Sequence, residues 1–125
     1  MANKWKNKNF IDAAKNAIEG IVQVFNTEAN FRIQLVFAIL AIIVGIIFGL
    51  NTIEFSIIFF TITSVIFAEF INTAVETVVD MVTEEYNEKA KKAKDISAGV
   101  TLIVALNAVI IGCLIFLPKV CEYLK

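Results

Sequence analysis

Four polar side chains recur at helical spacing in the stretch AEFINTAVETVVD, residues 68–80: Glu69, Asn72, Glu76 and Asp80. On a helix turning roughly 100° per residue, Asn72, Thr73, Glu76 and Asp80 all project within about 60° of Glu69. The opposite face, with Phe70, Ile71, Val75, Val78 and Val82, is apolar. Three acids on one stripe repel each other, and the segment leading into them, FSIIFFTITSVIFA, carries no charge at all. A carboxylate at the centre of a bilayer costs about 2.5–3.5 kcal/mol on insertion scales, and less near the edge. The stripe therefore requires a compensator: a divalent cation, basic side chains or protons.

Candidates for that compensation flank the stripe. NTEANFR places Glu28 and Arg32 four apart before the first apolar run, and KKAKD places Lys94 and Asp95 before the last. Glu28 can join Glu76 as a ligand of a hard cation. Carboxylates without histidine suit Mg2+, which keeps waters and substrate phosphates in its shell. Lys94 can neutralise a phosphate. Simpler readings stand beside these. Glu28 and Arg32 make an ordinary i,i+4 ion pair, Lys91 to Asp95 is a solvated positive loop, and Glu84, Glu85 and Glu88 form a solvated face.

Much other chemistry is excluded. The chain has no His, which removes the commonest general base and any Ser-His or Cys-His pair. It has no glycine-rich phosphate loop. Cys113 and Cys121 fit no metal or redox spacing and are read as free, structural residues. What remains is carboxylates, an amide and lysines at a membrane–water boundary. That set suits metal-dependent phosphoryl transfer onto a lipid hydroxyl, a reaction that needs positioning, charge neutralisation and a base.

The elements that must hold these groups are long apolar helices. The 125 residues are 58% hydrophobic with mean hydropathy +0.78, which implies a single membrane-integral, all-α domain. Three runs approach the ~20 helical residues that a ~30 Å bilayer core requires: 33–50, broken only by Gln34, then 53–79 and 96–117. Entering near Ile53, the second span reaches the far boundary near position 73, with Glu69 about one turn inside and Glu76 and Asp80 at the water. Gly45 and Gly49 form a GxxxG, a weak helix-packing signal in an apolar run. Phe10, Ala14, Ala17, Ile18, Ile21 and Phe25 fall on one helical face, opposite Asp12, Lys15 and Glu19. This predicts an amphipathic helix over about 9–26 lying in the interface plane. The start MANKWKNKNFIDAAKNAIEG lacks the apolar core of a signal peptide. Lys4, Lys6, Lys8, Lys15, Arg32, Lys89, Lys91, Lys92 and Lys94 lie on one side of the membrane and only Lys119 and Lys125 on the other. The N-terminus and the 83–95 loop are therefore expected in the cytoplasm, with the C-terminus outside.

The sequence EFINTAVETVVD, followed by EEY and AKDISAG and preceded by ExNFR, resembles the bacterial integral-membrane diacylglycerol kinase and undecaprenol kinase family over nearly the whole chain. The resemblance implies a homotrimer of protomers with a surface helix and three spans, each active site shared between neighbours, using ATP and Mg2+. It implies that Glu69 is the catalytic base, that Glu28 and Glu76 hold Mg2+ bridged to ATP, and that Asn72 orients the γ-phosphate or the base. Lys94 and Asp95 match a nucleotide-binding pair, and Glu85 and Tyr86 a loop contacting the nucleotide. Asp80 and Arg32 are motif positions of open role. Asn87 stands where many members carry His or a Pro-containing stretch, and Lys8-Asn9 where some carry Arg. NFRIQL and DISAG look more like the undecaprenol kinase branch, with diacylglycerol kinase the alternative. Two readings from other classes remain: a proton-relay or ion-transport protein, disfavoured because polar residues gather on one side of the membrane, and a non-catalytic scaffold whose acids pair with the loop lysines.

Overall fold

The structure, a computed structural model, describes residues 6–125. Lys4, counted above among the cytoplasmic lysines, lies outside the described residues. Four helices follow in order: α1 (Phe10–Thr27), α2 (Ala29–Ile47), α3 (Thr52–Val82) and α4 (Glu88–Tyr123). The last three are long and apolar enough to cross a membrane. At 1.5 Å per residue, α3 is about 46 Å long and α4 about 54 Å, so each outruns a ~30 Å hydrocarbon core by several turns.

α3 and α4 pack antiparallel, α2 packs on α3, and α1 on α2. Two ion pairs fix the α3–α4 register at both ends. Glu54 meets Lys119 at 3.4 Å, and Asp80 meets Lys94 at 2.6 Å. The pairs are 26 residues apart along α3 and 25 along α4, so the helices run level without a slip. The buried apolar set of the single chain is small: Phe31, Leu50, Ile58 and Ala68 among the described residues. Most large apolar side chains of the three long helices are exposed, as expected where lipid replaces water.

Several helix ends differ from the expected ones, two of them for a local reason. The first span stops at Ile47 rather than 50, because Gly49 adopts the left-handed conformation (φ 65°). The Leu50 N–H bonds Gly45 O and the Gly49 N–H bonds Ile46 O, which closes a Schellman motif. The GxxxG is thus a helix stop rather than a packing face. Gly49 supplies the turn, and Gly45 the room for Leu50 and Phe55, since a Cβ there would lie 2.7 Å from Leu50 Cδ1 and 3.0 Å from Phe55 Cε1. α3 then starts at once on a capping box, with Asn51 accepting from the Glu54 N–H and the Glu54 carboxylate accepting from the Asn51 N–H. Gly49→Val should cost about 1–2 kcal/mol through backbone strain alone, because nothing lies within 4 Å of the added Cβ. Thermal unfolding in detergent checks this, and an unchanged midpoint would remove the strain argument.

The second difference concerns the expected 83–95 loop. Only the segment from Thr83 to Asn87 connects the helices, and Lys89 to Asp95 already belong to α4. Asn87 is the reason: its side chain caps α4 by accepting from the N–H groups of Lys89 and Ala90. Lys91 and Asp95 therefore form a helical i,i+4 pair at 2.5 Å rather than part of a solvated loop. Third, α4 continues through Pro118 to Tyr123, beyond the apolar run that ends at 117. Cys113 and Cys121 are free, but both are exposed on α4 rather than packed in a core.

Candidate functional site

The acidic stripe forms as one face of the C-terminal half of α3, and its members have different surroundings. Glu69 is buried, at 4% exposure. Its Oε2 accepts a 3.0 Å hydrogen bond from Gln34 Nε2 of α2. One turn on, the Asn72 amide donates to Glu76 Oε1 at 3.3 Å. At the last turns of α3, Asp80 accepts from Lys94. The stripe is therefore graded: a buried acid held by an amide, a half-buried acid beside an amide, and an exposed acid neutralised by an ammonium.

The break between α1 and α2 sets where the first helix meets this stripe. Glu28 is extended there (φ −105°, ψ 104°) and half-buried, and its carboxylate accepts from the adjacent Thr27 hydroxyl at 3.3 Å. Arg32 does not pair with Glu28. Its Nη1 donates to the carbonyls of Phe25 at 2.7 Å and Asn26 at 3.1 Å, closing the C-terminal end of α1, where a cation also suits the helix dipole. The role left open for Arg32 is thus occupied structurally. Phe31, one residue earlier, is 4% exposed and wedges edge-on against Phe70 (5.3 Å between centroids) and Phe25 (6.4 Å). Phe70 follows Glu69, so this aromatic trio ties the α1–α2 break to the level of the buried acid.

Two hollows adjoin the stripe. A groove of about 550 Å³ runs between α2, α3 and α4 and is almost wholly apolar, lined by Phe37, Ala41, Ile62, Ala108 and Phe116 among others, with Gln34 in its wall. The other, about 380 Å³, is polar and lies at the α3–α4 turn; Asp80, Glu85, Tyr86, Lys94 and Asp95 line it. Four of the nucleotide-contact candidates, Glu85, Tyr86, Lys94 and Asp95, thus share one pocket, and Tyr86 is 79% exposed at its edge. Lys94 sits in the opening turns of α4, ahead of the apolar run. Its hydrogen bond to Asp80, aided by the charge of Glu76, raises the ammonium above its ordinary pKa against the opposing effect of burial. It is a fixed cation at neutral pH. Among the described residues no three carboxylates or thiols gather into a metal cage.

Four buried polar atoms complete the picture. Gln34 Oε1, Asn72 Oδ1, Thr73 Oγ1 and Ser97 Oγ are all buried without a hydrogen-bond partner. In the register fixed by the ion pairs, Ser97 stands level with Glu76. Gln34 was visible only as the one break in the first apolar run, and nothing in its spacing announced that it reaches Glu69 across 35 residues of chain. By contrast, Thr61 and Ser64 donate to the carbonyls of Ile57 and Phe60 in their own helix. Their hydroxyls are engaged by local backbone.

The sequence model for prokaryotic diacylglycerol kinase matches residues 15–116. The chain is 39% identical over 112 residues to an undecaprenol kinase of Bacillus subtilis (strain 168), covering 90% of this chain and 88% of that protein. It is 36% identical over 118 residues to a diacylglycerol kinase of Synechocystis sp., covering 93% and 67% respectively. To a diacylglycerol kinase of Escherichia coli (strain K12) it is 30% identical over 105 residues, covering 84% and 86%.

Proposed function

The chain belongs to the prokaryotic diacylglycerol kinase family, and from that premise we propose how its residues carry out phosphoryl transfer from ATP to a membrane lipid alcohol, with undecaprenol as the acceptor. It is a lipid kinase by family. The observation that carries the site assignment is the placing of buried Glu69, through its partner Gln34, beside the wall of the apolar groove, while Lys94 lines a polar pocket further along the same face. A lipid alcohol reaches the first from the membrane, and a nucleotide reaches the second from water.

In this reading the acceptor hydroxyl enters at the level of Glu69. Its oxygen attacks the γ-phosphorus, the new O–P bond forms as the bond to the ADP oxygen breaks, and the hydroxyl proton passes to the Glu69 carboxylate. Lys94 stabilises phosphate charge, Asn72 orients the γ-phosphate or the Glu76 carboxylate beside it, and Glu85, Tyr86 and Asp95 contact the nucleotide. Mg2+ fits the donor set on offer. Glu28 and Glu76 would hold it through hard carboxylate oxygens, and when bound it would supply positive charge against the phosphate oxygens.

The orientation follows the lysine asymmetry, with the α3–α4 turn cytoplasmic. α1 lies along the interface with its exposed Phe10, Ile18, Ile21 and Phe25 toward the acyl region. The protomer assembles as a homotrimer, which accounts for how little of a single chain is buried. Undecaprenol is preferred because identity is 39% to an undecaprenol kinase, against 36% and 30% to diacylglycerol kinases. The test is a radiolabelled-ATP assay in mixed micelles offering undecaprenol and diacylglycerol side by side. Label should enter undecaprenol at least tenfold faster. Preferential labelling of diacylglycerol would reassign the acceptor, and label in neither would remove the kinase reading.

A further inference from the structure

Gln34 is the one polar interruption of α2's apolar run, and its two amide atoms have different fates. Nε2 donates to Glu69 Oε2 at 3.0 Å. Oε1 is buried and unpartnered, although a buried amide oxygen left without a donor costs about 1–3 kcal/mol. The side chain also lines the apolar groove. Among the described residues it is the one that both hydrogen-bonds the buried acid and lines the groove. We propose that Gln34 is the positioning residue for the acceptor: it fixes the Glu69 carboxylate through Nε2 and offers Oε1 as the first hydrogen-bond acceptor for the incoming lipid hydroxyl.

The geometry gives this a physical basis. A carboxylate on α3 with one oxygen tied to an amide on a second helix loses most of its torsional freedom, because α2 and α3 are joined rigidly by the Schellman turn and the capping box that follows it. The other oxygen, Oε1, takes no hydrogen bond among the described residues and stays available to a proton. A hydroxyl has one proton to give and two lone pairs. Resting on Gln34 Oε1, it lies one amide width from the base and need only turn its O–H to Glu69 as the oxygen moves on phosphorus. A glutamine suits this task, since the amide cannot compete with Glu69 for the proton and presents donor and acceptor side by side. The buried acceptor left open in the protomer is then filled by substrate. The class of ligand is an uncharged primary alcohol carried on an apolar chain, which the groove can lodge.

The inference rests on the lipid-kinase reading and on Glu69 as base, and the experiment separates the failures. The parent protein, Gln34→Met and Gln34→Asn are each assayed in micelles with the lipid alcohol and ATP varied independently. Met keeps the length and volume of Gln without either hydrogen bond, and Asn keeps the amide but falls short of Glu69 by one methylene. Both should lose 10- to 100-fold in kcat/KM for the lipid alcohol while KM for ATP stays within twofold, and the thermal midpoint in detergent should fall with Met, which leaves the buried Glu69 carboxylate without its donor. A residue serving only to satisfy a buried charge gives a different kinetic pattern: KM for both substrates affected together, with Asn partly restoring what Met loses. That pattern, or lipid kcat/KM within threefold of the parent in either variant, overturns the proposal. If Gln34→Met does not fold, the Asn variant decides alone. A parent that phosphorylates no lipid would instead sink the kinase reading itself.

Discussion

Glu69→Gln is expected to abolish most turnover while leaving the molecule at least as stable as before. The two carboxyl-derived groups have the same shape, and the amide oxygen of the variant can still accept from Gln34 Nε2, so the α2–α3 contact at 3.0 Å survives. What is lost is the ability to take a proton. Base catalysis contributes typically 10²–10⁴-fold, so kcat should fall by about three orders of magnitude. ATP affinity should stay within twofold, because the polar pocket lined by Lys94, Glu85 and Tyr86 does not include Glu69. Stability should move the other way. At 4% exposure the acid is desolvated, and removing a buried charge while keeping its hydrogen bond is commonly neutral or stabilising. A structural acid and a catalytic acid thus give opposite signatures. Lipid phosphorylation, nucleotide titration and a detergent melt on one preparation distinguish them. Near-parent turnover would remove the base assignment, and a fall in melting temperature with proportional loss of activity would make Glu69 a packing residue.

The shared face of the stripe could be read from sequence because helical periodicity is a property of one segment, and Glu69, Asn72, Glu76 and Asp80 needed only spacing to be aligned. The order of burial along the stripe, Glu69 buried, Glu76 half-buried and Asp80 exposed, runs the same way as the depth expected from the length of the segment. What could not be read was anything decided between segments or by a cap. Gln34 and Glu69 meet because α2 and α3 pack, and Asp80 finds Lys94 because the helices align level at both ends. Arg32 was paired with Glu28 on spacing alone, but a helix break at Glu28 swings the guanidinium onto α1's last carbonyls instead. The break overrides the i,i+4 rule because that rule assumes both residues sit on one continuous helix. Likewise Asn87 was judged by what it replaces rather than as a cap, so the helical start of α4 was taken for loop. The apolar run ending at Leu50 was overextended because hydropathy does not register a left-handed glycine.

Lys94→Met carries the second largest expected effect, and its size follows from what Lys94 does in the resting protein. The ammonium is held by Asp80 at 2.6 Å, with Glu76 close enough to add to its charge stabilisation. Its side chain is 40% exposed and that of Asp80 63% exposed, so water screens the pair and the bond adds little to stability. Methionine retains the aliphatic stem, so the melt in detergent should not move. The effect on catalysis is of another order, because phosphoryl transfer proceeds mainly through positioning and charge stabilisation, and removing one preorganised donor typically costs 10²–10³. We expect kcat/KM for ATP to fall about a hundredfold, with KM for the lipid alcohol unchanged because the apolar groove does not contain Lys94. Asp80→Asn supplies the control. If Asp80 only parks the lysine between turnovers, releasing it should change kcat/KM for ATP by less than about threefold, in either direction. Asp80→Asn as damaging as Lys94→Met would mean that Asp80 itself meets the nucleotide or its cation. Lys94→Met with near-parent kinetics would leave the α3–α4 ion pair as a register device alone, matched at the other end by Glu54 and Lys119.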